Sequence, residues 1–152
     1  MKVAYLFRRI LYAVFLIIAT NYKLLAEVTP NSITDKPLAL RKIMSDLGEN
    51  MQVITDGISR ENWKLVEKTA SQIADHPQPP FVERIKILSF VGSNVNQFKG
   101  YDNKTHNAAI ALDKAARRKD GHKVITAFSI LQNTCLACHQ KFRKSFQEHF
   151  YH

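Results

Sequence analysis

Cys135-Leu136-Ala137-Cys138-His139 carries the clearest chemistry in the chain. Two cysteines three apart, with a histidine directly after the second, form the attachment signature of a c-type haem. On a helix, positions i, i+3 and i+4 share one face. Two thiols one turn apart can each bond a haem vinyl group as a thioether, and the adjacent imidazole then reaches the iron. The chain has only two cysteines, both in this motif, so none is left for a disulfide or a separate nucleophile.

Three other readings compete. A thioredoxin-like pair would open a helix beside a βαβ pattern. Here the pair lies inside a long helical pattern with no strand before it. Cys135, Cys138, His149 and His152 give C-x2-C-x10-H-x2-H, which a zinc ion could use. The gaps after Cys138 are shorter than finger spacing, and the cysteine half should sit on a hairpin. The third alternative is two structural cysteines. The specificity of the five-residue motif favours haem.

The elements that must position this motif read as helices. Val124, Phe128, Leu131, Cys135, Cys138, Phe142 and Phe146 recur at helical spacing, so the motif lies on the apolar seam of a helix running from the Asp120-Gly121 turn to about Phe150. An earlier helix is expected from near Asp35, with Pro37 in its first turn. Its stripe is Leu40, Ile43, Met44, Leu47, Met51, Ile54 and Ile58. Gly48 weakens its middle and suggests a close neighbour. Gly57 ends or bends it, and Ser59 caps the next. A second helix, about Arg60–Asp75, has the stripe Trp63, Val66, Ala70 and Ile73, and His76-Pro77-Gln78-Pro79-Pro80 stops it. His76 reads as a polar helix-end residue rather than a ligand. Phe81–Val91 reads as a short extra helix, followed by a connector over one end of the bundle. A third main helix, about Asn103–Lys119, carries Ala108, Ala109, Leu112, Ala115 and Ala116. Four amphipathic helices with short turns predict an all-α, antiparallel up-down four-helix bundle, with the haem held covalently in its core.

The first 26 residues differ in kind. Met1–Arg9 is basic, Ile10–Thr20 is almost wholly apolar, and Leu24-Leu25-Ala26 offers a cleavage point. This is the order of a secretory signal. The apolar run is short for a membrane span, although Leu24 is a poor cleavage residue and an uncleaved inner-membrane anchor is the alternative. The expected organisation is a signal peptide over 1–26, a flexible lead-in over 27–34 and one haem domain over 35–152. The net charge is +9. Lys2, Arg8, Arg9 and Lys23 supply nearly half of that excess, without an acid among them. The other basic residues lie in helical patterns with acids nearby, which reads as solvated helix faces and not as a nucleic-acid surface. No second cofactor motif and no nucleophile–base arrangement points to an enzyme.

Cys135-x-x-Cys138-His139-x-x-Phe142-Arg143 near the carboxyl end resembles the cytochrome c′ family, as does Leu112-Asp113-Lys114-Ala115-Ala116 before a polar turn. Arg41-Lys42-Ile43-Met44, with Asn50-Met51 beyond it, resembles the low-spin members. The resemblance implies one covalent haem c per chain on Cys135 and Cys138, with His139 as proximal ligand. Low-spin members place a methionine at the sixth position, and Met44 stands at the matching place. The alternatives are that Met44 is a flexible core side chain or that Met51 substitutes for it. Arg143 lies one turn after His139, near the haem edge or in solvent. The expected function is a periplasmic carrier of single electrons between redox proteins in the periplasm or at the inner membrane. The alternative is a high-spin cytochrome c′ that binds nitric oxide or carbon monoxide at an open sixth position. The resemblance also implies homodimers through the first two helices.

Overall fold

The computed structural model describes residues 37–151. The signal reading of 1–26, the lead-in 27–34, Asp35 and the zinc candidate His152 lie outside them. Among the described residues five α-helices are formed: α1 (Ala39–Ser59), α2 (Trp63–Ala74), α3 (Phe81–Val91), α4 (Val95–Arg117) and α5 (Gly121–Phe150). A 3-10 turn, Gly92–Asn94, joins α3 to α4. Among the described residues there is no strand. α1 packs on α2, α2 on α4 and α4 on α5. The pairings run antiparallel: Glu67 early in α2 meets Arg117 at the end of α4, and Ala74 at the end of α2 meets His106 further back. α3 covers one end. The chain is thus an all-α up-down bundle of four helical arms, as expected.

Several boundaries differ from the sequence reading, each for a local reason. α1 begins at Ala39, after Pro37, so Pro37 is not in its first turn. Its N-cap is Leu38, whose side chain cannot cap. The free N–H groups of Ala39 and Leu40 instead donate to the Glu83 carboxylate of α3, at 2.7 and 2.8 Å. An acid from a neighbouring helix therefore satisfies two of the four orphan donors and complements the helix dipole. Gly57 neither ends nor bends α1, which continues to Ser59. It is buried because a Cβ there would lie 2.9 Å from Val66 Cγ2. Ser59 does not cap α2; its hydroxyl donates to the Thr55 carbonyl. The cap is Asn62, whose side-chain oxygen accepts from Leu65 N–H. Gly48 is exposed, with nothing within 4 Å of a built Cβ, so the close neighbour expected there is missing. The connector before Asn103 is itself helical: α4 starts at Val95, and the break is confined to the 3-10 turn at Gly92, whose φ is +53°. Val95, Phe98 and Tyr101 were already spaced at 3 and 3, which a helix face explains.

The apolar stripes meet in two clusters. The larger gathers Ile54, Val66, Ala70, Ile73, Leu112, Val124 and Leu131 around the small residues Ala108, Ala109, Ala115 and Ala116. The smaller gathers Ile87, Val91, Phe142 and Phe146, with Leu40, Phe90, Phe98, Tyr101 and Phe150 at its margin. Its aromatic rings interlock, with Phe98 edge-on to Phe142 at 5.3 Å and Phe90 edge-on to Phe146 at 5.0 Å.

Candidate haem-binding site

The motif sits in the middle of α5, where the core divides. Cys135 packs at the margin of the larger cluster and Cys138 at the margin of the smaller. Both are half-buried, while His139 is exposed and Leu136 is 54% exposed. The expected buried seam therefore holds at Val124, Leu131, Phe142 and Phe146 and opens at the motif itself. The same division falls on α1 between Leu40, which packs on the smaller cluster, and Leu47, which packs on the larger. Met44 lies in that interval. It is 41% exposed and belongs to neither cluster, whereas Met51 packs against the larger one.

Helix geometry shows which way these side chains face. Thr134 of α5 meets Thr105 of α4, their hydroxyls 3.2 Å apart. His139 is five residues on, about 140° around the helix at 3.6 residues per turn, on the flank away from α4. Gly57 of α1 faces Val66 of α2. Met44 lies about 140° around α1 from Gly57, on the flank away from α2. In a four-arm bundle both flanks border the seam between α1 and α5. That seam is sparsely packed compared with the other three helix pairs. Arg41, one turn before Met44, closes its far end by lying 5.3 Å over the Tyr151 ring.

The electrostatics argue against thiol redox chemistry. Burial pushes the Cys135 thiol up. Burial, with Cys135 and Asp102 nearby, pushes Cys138 up to about 11. Reactive dithiols have depressed values at helix N-termini, so the thioredoxin reading fails on position and on sign. Partial burial of the ring, and to a lesser degree the positive charge of Arg143, pull His139 below the ordinary imidazole value. The ring is therefore neutral near pH 7, the form a metal requires. Arg143 itself is exposed.

The zinc reading meets a distance problem. His149 is eleven residues beyond Cys138 on the same straight helix, about 16 Å along its axis, too far for one tetrahedral ion. His149 instead stacks on Phe90, centroids 4.5 Å apart. Among the described residues no cluster of three or more His, Cys, Asp or Glu side chains could hold a metal ion. A surface concavity lined by Lys86, Ser89, Phe90, His149 and Phe150 lies away from the thiols and holds no metal-ligand set.

The sequence reading missed three features around the motif. His76 is not a bare helix-end residue: its Nε2 lies 3.3 Å from Asp102, and its Nδ1 meets the Pro77 carbonyl. His106 Nδ1 donates to the Ala74 carbonyl at 2.8 Å. The Thr105–Thr134 pair locks α4 to α5 one residue before Cys135. All depend on how separate segments pack, and no sequence spacing announces them.

The donor set, the divided core and the open α1–α5 seam fit a porphyrin attached to α5. Fold and site together define a helical-bundle cytochrome of the c type. The sequence pattern that defines the cytochrome c′ family matches residues 39–143, most of the chain and the whole motif, and the chain belongs to that family. The family carries covalently bound c-type haem and serves in electron transfer or gas binding. No curated protein matches the chain.

Proposed function

We propose that this protein is a periplasmic electron carrier that holds one haem c through thioethers at Cys135 and Cys138, with His139 and Met44 as axial ligands. One observation carries the choice of Met44: of the two stripe positions of α1 that fall between the core clusters, Ile43 is buried, whereas Met44 is exposed on the flank that borders α5. A packing methionine would be placed as Met51 is. Bound there, the haem supplies a one-electron iron couple, and thioether ligation favours its reduced form. Cys135 and Cys138, one turn apart on α5, would hold the porphyrin, and His139 and Met44 would offer its iron a neutral imidazole and a soft sulfur. The aromatic cluster beside Cys138 and the larger core cluster beside Cys135 offer apolar walls to the group. In this reading the protein passes electrons and does no substrate chemistry of its own.

Optical and paramagnetic resonance spectra of the oxidised and reduced protein, with the Met44→Ala variant alongside, provide the test. Six-coordinate low-spin iron that resists carbon monoxide is expected, with the variant turning high-spin, binding carbon monoxide and losing potential. High-spin, carbon-monoxide-binding iron in the unsubstituted protein, unchanged by Met44→Ala, would establish the gas-binding alternative.

A further inference from the structure

The inner face of α3 is accounted for: Ile87 and Val91 are buried, with Leu88 and Phe90 beside them. Its outer face is also apolar. Phe81 is 67% exposed, Val82 66% and Ile85 49%. A helix apolar on both faces is ordinarily covered on both. Charge flanks this outer stripe on either side. Arg84 lies on one side, its guanidinium 5.8 Å over the Phe81 ring, and exposed Lys86 lies on the other. The only acid of the helix, Glu83, is turned inward onto the α1 N-terminus. The outward surface is therefore apolar at its centre and positive at both edges.

We infer that the outer face of α3 is a docking surface for an anionic lipid bilayer, with Phe81, Val82 and Ile85 entering the headgroup–acyl boundary while Arg84 and Lys86 meet lipid phosphates. Three observations select this occupant. Apolar side chains flanked by arginine and lysine are the pattern of an interfacial helix. Three side chains are far too small a patch for a stable protein dimer, which needs about 800 Å² from each partner, but they suffice for reversible attachment to a membrane when joined to basic charge. The Glu83 hydrogen bonds also turn the one acid of α3 inward onto the start of α1, so no negative charge of this helix opposes anionic headgroups. Bilayer docking would keep the carrier close to membrane-bound redox partners. It rests on the proposed function only for its compartment, and vesicle binding can fail or succeed without any change in the spectra.

Co-sedimentation of the exported, haem-loaded protein, as its host processes it, tests the inference. Vesicles of phosphatidylcholine alone are compared with vesicles containing equal parts of phosphatidylglycerol. Binding to the anionic vesicles that weakens with added salt is expected. Val82→Ser with Ile85→Ser should weaken it at least about tenfold. Lys86→Gln should weaken it about fivefold. All three substitutions lie on exposed positions, and an unchanged helical circular dichroism spectrum shows that each variant is folded. Equal binding to both vesicle types, or binding untouched by the substitutions, overturns the proposal. So does a change of oligomeric state in the Val82→Ser/Ile85→Ser variant, which would make a second copy of the chain the occupant.

Discussion

Met44 and Met51 are seven residues apart on one helix and have different surroundings. Met51 touches the larger core cluster, and Met44 touches neither. Replacing Met51 with leucine is a volume-conserving change, expected to cost under about 1.5 kcal/mol by denaturant titration. It should leave the haem spectrum alone, whereas Met44→Leu should convert it to the high-spin form. His76 gives a second prediction at this scale. Its hydrogen bond to Asp102 is the main reason that its folded pKa is raised, against a partial loss from burial. A raised value means that the folded state holds the proton more tightly. The stabilisation is thus fully present below the unfolded value near ~6.5 and is lost as pH climbs through the folded one. The melting-temperature gap between wild type and Asp102→Asn should be widest in acid and close on the alkaline side. A gap independent of pH would show that the pair acts only by packing.

Glu83 shows how one helix holds the end of another. Glu83→Gln keeps the shape but removes the charge from the α1 N-terminus. It should lower stability by about 1–2 kcal/mol, seen as a lower denaturation midpoint at unchanged slope. The two glycines of α1 should respond in opposite directions. Gly48→Ala fills open space in a helix interior and should stabilise by about 0.5–1 kcal/mol. Gly57→Ala drives a methyl against Val66, which is wholly buried and cannot yield, and should destabilise by about 1–3 kcal/mol despite its better helix propensity. The sequence reading placed neither glycine correctly: Gly48 lies on the exposed face, about 180° around α1 from Gly57, and only Gly57 meets the neighbouring helix. The stripe itself was legible: Ile43 and Ile54 are buried as the period requires, and Val66, Ala70, Ile73, Leu112, Val124 and Leu131 follow the same rule. Helix starts were less legible. Those of α1 and α4 depend on a carboxylate from another helix and on a short 3-10 turn, neither of which leaves a local signature.

At the scale of the molecule, the thiol pair lies where the two halves of the core part. The motif was legible because covalent attachment demands fixed residue types at fixed spacing. Its surroundings were not, because the Thr105–Thr134 lock and the His76–Asp102 pair arise only when α4 folds against its neighbours. A haem held by Cys135 and Cys138 at this junction would pack between the two clusters and tie α1 to α5. The Cys135→Ala/Cys138→Ala protein should therefore lose amide-exchange protection chiefly in α1, while α2, α4 and the first half of α5 keep theirs. The measurement that bears most directly on the whole account is the intact mass of the denatured, acid–acetone-extracted polypeptide from a host able to mature c-type cytochromes. The account predicts the mass of the processed chain plus one haem, a gain abolished in the double cysteine variant. A mass equal to the bare polypeptide, with all colour in the solvent, would contradict it.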